Sequence, residues 1–288
     1  MSLFFQYVAS GVATGCTFAL TATGFVAIYR VTRVVNFAQG MFAVVGGMVT
    51  YSLLARGLPH GLAEAAAVLL GAGVGLVIGA AAIGKPGTPT VASLIITLGL
   101  AIGSYAVIIL IWGDQPLSFA GLSGNLQLGA VSLQYQYVLV VGVTAITFAV
   151  LAAFFDHTYL GRALTACSSN AHAARLMGIN VTRMGLVSFA LGGALGALAG
   201  VLLAPLQPVS FNSDVGLAIN GFAAAVFGGI LRPYTALLGG LVLGVAEALV
   251  AGFSRASLES GVALLVLLGL MVWQTSRRAA GGLEEAAI

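Results

Sequence analysis

Few side chains in this sequence are placed to do chemistry, and their spacing narrows what that chemistry is. Asn36 and Gln39 stand three apart in 34-VVNFAQGMFAVVGG-47, with Gly40 beside them, so a helix there carries both amides on one face. Amides inside a long apolar stretch need partners and belong on a protein-facing side. They serve either as interhelical hydrogen bonds or as polar lining for a solute path. The stretch 220-NGFAAAVFGG-229 loosely echoes them, with an amide, a Phe, small residues and then a Gly-Gly pair (Gly46-Gly47 against Gly228-Gly229). Weak similarity between two halves is what an internal-repeat transporter displays. The polar groups expected along a path are Asn36, Gln39, Gly40, Thr97 and Asn220. Glu247 is the one acid well inside an apolar run. A carboxyl in lipid is costly and functional by default, but it stands near the outer end of its run, within reach of the interface. Proton coupling needs more than one such group.

Other chemistry fails the spacing test. His60, His157 and His172 are scattered without metal-ligand spacing, and no Ser/His/Asp or Cys/His grouping suggests catalysis. The two cysteines, Cys16 in the first apolar run and Cys167 in a polar loop, are expected at different depths and form no disulfide framework. The segment 79-GAAAIGKP-86 matches the first seven places of a phosphate loop. Pro86 stands where Ser or Thr would hold magnesium, and an apolar run precedes it where a strand is required. The expectation is a chain with no catalytic residues, no metal and no nucleotide site of its own.

The elements that must position these groups follow from composition. Of 288 residues 60% are hydrophobic and 7% charged, against about 25% charged in soluble domains; mean hydropathy is +1.08. This excludes a soluble enzyme, a disordered chain and a nucleic-acid binder. At about 20 apolar residues per span, the expectation is an all-α polytopic helical membrane protein. It has about eight or nine transmembrane helices, at least one short or re-entrant segment, and a single domain over residues 1–288. Apolar runs lie at 5–29, 34–55, 62–83, 91–112, 135–155, 184–204, 216–231, 234–252 and 258–274. The run 216–231 is too short for a comfortable crossing and reads as a tilted helix or a re-entrant hairpin. MSLFFQYVAS lacks a positive n-region, so the first span is expected to be retained.

Basic residues set the sidedness. With the N-terminus outside and nine crossings, Arg30, Arg33, Lys85, Arg162, Arg175, Arg183, Arg232, Arg277 and Arg278 fall inside, and only Arg56 and Arg255 outside. The C-terminus is then cytoplasmic. The segment 113–134, with no Lys or Arg, becomes the longest outer loop. Glycines spaced by four (Gly71/Gly75/Gly79, Gly192/Gly196/Gly200, Gly11/Gly15, Gly99/Gly103, Gly240/Gly244) make flat strips for close helix packing, for sliding, or for a second subunit.

The substantial inner loop is 156-DHTYLGRALTACSSNAHAARLMGINVTR-183. Ser168, Ser169 and Asn170 offer N-cap side chains to a short helix, AHAARLM, that stops at Gly178. Ala173, Leu176 and Met177 form an apolar stripe on it, and Ser168, His172 and Arg175 another face. So short a helix is marginal alone, so it must pack on a surface of this chain or of another protein.

This loop and the helix after it, 161-GRALTACSSNAHAARLMGINVTRMGLVSFALGGALGALAGVL-202, resemble permease subunits of branched-chain amino acid ABC transporters. In that family a Gly-Arg-Ala stretch leads to a short helix ending Leu-Met-Gly-Ile-Asn, followed by a Gly/Ala-rich span. The stretches 36-NFAQG-40, 94-LIITLGLAIG-103 and Phe227-Gly228-Gly229 are similar to further family elements, in order, over most of residues 8–250. Acidic residues common in the family's loop are absent between Asp156 and Arg183, where Ser168-Ser169-Asn170 stands.

The resemblance implies a transmembrane permease of an ABC importer in the bacterial inner (cytoplasmic) membrane. It would move branched-chain or related small amino acids; related permeases handle hydrophobic amino acids, urea, amides and small carboxylates. The implied partners are a second permease subunit, two ATP-binding subunits carrying ATP and magnesium, and a periplasmic substrate-binding protein. Beside them stand the small-molecule substrate and membrane lipid, and no nucleic acid. The helix near 168–178 would be the coupling helix docked on the ATPase, through Arg162, Ser169, His172, Arg175, Leu176, Met177 and Gly178. Read from the residues alone, a stand-alone secondary transporter or channel is the alternative. The shortage of buried ionisable groups weighs against it, and an intramembrane enzyme lacks clustered catalytic groups.

Overall fold

The computed structural model describes residues 2–83, 89–128, 131–229 and 233–253, with positions 261, 264, 265, 268 and 269. Lys85, Pro86, Arg232, Arg255, Arg277 and Arg278, and nearly all of the run 258–274, lie outside the described residues. The helices are α1 (Ser2–Thr32), α2 (Gln39–Ala55), α3 (Leu62–Ile83), α4 (Thr90–Trp112), α5 (Tyr135–His157), α6 (Tyr159–Ser169), α7 (Ala171–Leu176), α8 (Val181–Leu203), α9 (Ser213–Gly228) and α10 (Pro233–Phe253). Six of them (α1, α3, α4, α5, α8 and α10) are long and apolar enough to cross a membrane; α2 and α9 are shorter apolar helices. This is a polytopic helical membrane protein.

α1 is the central post. It packs on α10, α8, α9 and α5, and its middle is buried on all sides. The buried hydroxyls cannot reach water there, so Thr17, Thr21 and Thr23 each donate to a carbonyl three or four residues back, as half-buried Thr14 and Thr32 also do. By contrast α4 and α5 turn large apolar side chains outward, among them Ile102, Leu110, Ile146 and Val150, the surface that lipid solvates.

Glycine sets how closely the inner helices approach. A Cβ on Gly11 or Gly15 would stand 2.7–2.8 Å from α10 backbone at Val245 and Gly240. Gly71 and Gly75 of α3 meet the α8 backbone in the same way at Gly193 and Phe189, and Gly200 of α8 meets Ala43 of α2. Four of the strips are thus seams inside the bundle. A Cβ on Gly99 or Gly103 of α4 would meet nothing within 4 Å among the described residues, and this strip faces outward.

Two expectations need correction. The run 34–55 is not one helix: residues 34–38 break it, and α2 starts at Gln39. The 156–183 stretch is mostly helical rather than loop. Thr158 caps α6, its hydroxyl accepting from the Gly161 amide, and buried Ala163, Leu164 and Cys167 hold α6 against the bundle. Ser168 and Ser169 therefore end α6 and do not cap α7, and Cys167 is buried on a helix rather than lying in a polar loop. At the other end, segment 113–134 contains an antiparallel hairpin, β1 (Asn125–Leu128) with β2 (Val131–Gln134), and Leu117 pairs with Val209 after α8.

Candidate functional site

The break before α2 builds a polar belt half-way along the bundle. Asn36 Oδ1 accepts from the Ala38 amide at 3.1 Å, and the Gln39 amide donates to the Asn36 carbonyl at 3.2 Å, so the chain turns and restarts as a helix. Thr97 Oγ1 accepts from the Phe37 amide at 3.4 Å and donates to the Leu94 carbonyl at 2.9 Å. Gln39 Nε2 donates to the Gly192 carbonyl at 2.9 Å. Gly192 is residue 12 of the 23 in α8, which puts the belt near mid-span. Asn36, Gln39 and Thr97 are fully buried. Gly40 lies so close to the Asp214 carbonyl that no Cβ fits there, and the N-termini of the two short helices meet.

This belt brings together Asn36, Gln39, Gly40 and Thr97, and adds two residues that sequence reasoning missed. Asp214, in the first turn of α9, is 4% exposed and accepts from the Tyr105 hydroxyl at 2.9 and 3.1 Å. Asp214 was hidden because the apolar run only begins at 216; the helix starts earlier, with its acid already at depth. Tyr105 gave no signal beyond a polar tip in an apolar run. Within the belt, Asn36 Nδ2 and Gln39 Oε1 are buried without a hydrogen-bond partner among the described residues. One offers a donor and the other an acceptor, a polarity that suits a small polar solute or the repositioning of these helices.

Asn220 does not join this belt. It lies mid-way along α9 and donates through Nδ2 to Glu247 Oε2 on α10 at 3.2 Å. Asn36 precedes its short helix whereas Asn220 sits inside one, so the 34–47 and 220–229 stretches do not occupy matching places. Two clefts, of about 460 and 390 Å³, flank this second pair, and Glu247 and Gln207 line both.

At the end of the bundle where α1 finishes, Asn170 caps α7 by accepting from the His172 and Ala173 amides, both at 3.0 Å. Gly178 ends it at φ +82°, its amide donating to the Arg175 carbonyl. Ala174 is the one α7 residue buried, against Val31, Leu164, Cys167 and Met184. That anchor leaves Leu176 and Met177 77% and 82% exposed, beside exposed Arg162, Ser169, His172 and Arg175. Burial pushes the Cys167 thiol up from its ordinary value, with the Arg175 charge opposing it. Arg30 and Arg33 Nη2 reach Ser168 at 3.4 and 3.0 Å, so the foot of α1 holds the end of α6.

A family model described as "Branched-chain amino acid transport system / permease component" matches residues 7–272. The high-affinity branched-chain amino acid transport system permease protein LivH of Salmonella typhimurium is 30% identical over 292 residues, 94% of each chain. The corresponding protein BraD of Pseudomonas aeruginosa is 30% identical over 263 residues, 85% of each chain. The chain also resembles a solved structure, PsaBC from Streptococcus pneumoniae in complex with Fab, at a TM-score of 0.53 and 15% identity, over 92% of this chain and 91% of that one; this likeness concerns the fold.

Proposed function

The chain belongs to the family of branched-chain amino acid transport permease components, and from that premise we infer that it is the membrane-spanning permease subunit of an ABC importer of branched-chain or closely related amino acids. It works within a multi-subunit complex in a bacterial inner membrane. The hydrolysis of ATP, with its magnesium, takes place on partner subunits, and this chain supplies the path and a mechanical input. A substrate-binding protein delivers the solute from outside, and a second permease subunit completes the pore.

The observation that carries the mechanical part is the α7 knob. A six-residue helix capped at both ends, with Ala174 buried beneath and Leu176 and Met177 bare, is built to be gripped by another protein. An apolar pair exposed to water is unusual in a chain whose polar ends are few, and Arg162, Arg175 and Arg183 around it suit the cytoplasmic side. Force on α7 passes to α6 and, through Ser168, to Arg30 in the last turn of α1 and to Arg33 just beyond it. The belt at Asn36, Gln39, Gly40, Thr97 and Asp214 sits where α2 and α9 meet, so tilting these short helices opens it alternately to the two sides.

Leu176→Asp places a charge in the gripped patch, and Gly178→Pro forbids the positive φ and removes the amide that closes α7. Both variants are expected to insert and to accumulate near wild-type levels, to lose ATP-driven leucine uptake at least tenfold, and to lose co-purification of the ATPase. Wild-type uptake and co-purification in both would overturn the docking role.

A further inference from the structure

We propose that the start of α2 holds the head group of an α-amino acid in mid-membrane, its carboxylate on Asn36 Nδ2 and the first-turn amides and its ammonium on Gln39 Oε1. This rests on the permease reading and deepens it by naming the atoms of the belt that meet the solute and the zwitterion that satisfies them.

Asn36 and Gln39 are 1% and 0% exposed, and each commits half of its amide to the fold. Asn36 Oδ1 accepts from the Ala38 amide, and Gln39 Nε2 donates to the Gly192 carbonyl. Those two bonds fix which end of each amide stays open. The open ends, Asn36 Nδ2 and Gln39 Oε1, have no hydrogen-bond partner among the described residues. A buried polar atom left unpaired is expensive to keep. A donor and an acceptor kept open three residues apart call for a guest that carries both.

The helix that follows decides the charge of that guest. α2 runs 17 residues from Gln39, and Ala38 at its N-cap has no side-chain oxygen to offer the first-turn amides. Gln39, Gly40 and Met41 are buried, so bulk water does not serve these amides in its place. The positive end of the helix dipole therefore lies in the belt beside Asn36 Nδ2, which favours a carboxylate over a neutral carbonyl. With the carboxylate seated there, the –NH3+ on the adjacent carbon brings three donors and no acceptor, and Gln39 Oε1 takes one. A urea or an amide brings no anion to the helix end. A simple carboxylate brings no donor to Gln39.

The aliphatic part has a place beside the belt. A cleft of about 460 Å³ is lined by Ser213 and Val215, the chain neighbours of Asp214, and walled by Phe18, Val209 and Leu217. These three walls belong to the same buried cluster as Met41 and Phe42 of α2. The volume lies within the range of about 300–1,000 Å³ usual for small-molecule sites, and the apolar walls suit a branched side chain. Gly40 brings the start of α2 against the Asp214 carbonyl, so the head group enters as α2 and α9 part.

The test uses the full importer (permeases, ATPases and binding protein) in proteoliposomes. Asn36→Asp keeps the size and the oxygen that accepts from Ala38 but replaces the open donor with an oxygen. It is expected to assemble with the ATPase as the wild type does, and to take up radiolabelled leucine at less than a tenth of the wild-type rate. In the wild-type complex, photo-leucine (leucine with a diazirine in its side chain), activated during turnover and mapped by mass spectrometry, is expected to mark Phe18 and the 209–219 segment. Asn36→Asp is expected to lose those adducts at least tenfold while adducts in the binding protein persist. Without the binding protein, high photo-leucine is expected to give the same wild-type adducts. Leucine is expected to compete with them, and isocaproate, which lacks the amine, and isocaproamide, which lacks the amine and the charge, are not. Wild-type uptake by assembled Asn36→Asp overturns the site. So do wild-type adducts that fall elsewhere in the permeases or in the binding protein alone, and competition by isocaproate or isocaproamide equal to that of leucine. A wild-type complex that assembles and hydrolyses ATP but carries no leucine overturns the permease reading and this proposal with it.

Discussion

Tyr105 and Asp214 show how one hydrogen bond holds a broken helix at depth. The Asp214 carboxyl is shut from water at the start of α9, and the Tyr105 hydroxyl spans both of its oxygens. Tyr105→Phe removes the donor and leaves a buried polar group short of a partner, at about 1–3 kcal/mol. The expected outcome is a lower thermal-unfolding midpoint for the purified protein, with Asp214→Asn less affected because an amide retains an acceptor. An unchanged midpoint in Tyr105→Phe would mean that Asp214 has another donor. The partners of Asn36 and Gln39 were only partly legible beforehand. Their spacing put two amides on one face, but Gly192, whose carbonyl Gln39 meets, and Thr97, which accepts from the Phe37 amide between them, come from helices 153 and 60 positions away, and sequence spacing says nothing of such distances. Asn220 reads in the sequence as one more polar group along a path because it is an amide in an apolar run; in the fold it meets Glu247 instead of Asn36, Gln39 and Thr97.

α7 is an element that owes its existence to its caps. Six residues cannot sustain a helix in water, and here the Asn170 side chain satisfies two amides while Gly178 closes the other end. Asn170→Ala is expected to cost about 1 kcal/mol locally. Hydrogen exchange of the 171–177 amides then speeds up severalfold while the α8 amides keep their protection; equal exchange in both proteins would show that Ala174 burial alone holds the helix. The cap residue and the glycine stop were readable because both are short-range signals. The helix before it was not. In sequence α6 reads as loop because its charge and hydroxyls mask a buried face of Ala163, Leu164 and Cys167, which forms only when Val31 and Met184 are brought to it by the fold. The break at 34–38 is equally hidden, because Val34, Val35 and Phe37 continue the apolar run although α1 has already ended at Thr32 and the Asn36 side chain turns the chain by accepting from the Ala38 amide.

For the whole molecule, glycine spacing located the helix seams but not their direction. The strips on α1, α3, α8 and α10 interlock inside the bundle, and the matching pair Gly99 and Gly103 on α4 opens outward. The patterns look alike in sequence because spacing of four records a flat strip and nothing about which way it faces. A paired substitution separates them. Gly193→Val drives its side chain into the Gly71 backbone and overpacks the α3–α8 contact, at about 1–3 kcal/mol or more. It is expected to lower the unfolding midpoint and the yield of monodisperse protein. Gly99→Val meets nothing among the described residues and is expected to leave the midpoint of the isolated subunit unchanged; a comparable fall in both would show that the seams do not set stability.

α1 spans these scales. Two guanidinium groups grip its lower end at Ser168, and Gly11 and Gly15 lock its upper part to α10 by backbone contact. About 28 Å of unbroken helix separates Arg30 from Gly11, at 1.5 Å per residue. A rod clamped at both ends does not absorb a shove by flexing. On the docking role proposed for α7, a displacement at the base of this one arrives at the far rim as a swing of two helices together, and the mouth of the bundle is worked from its opposite face.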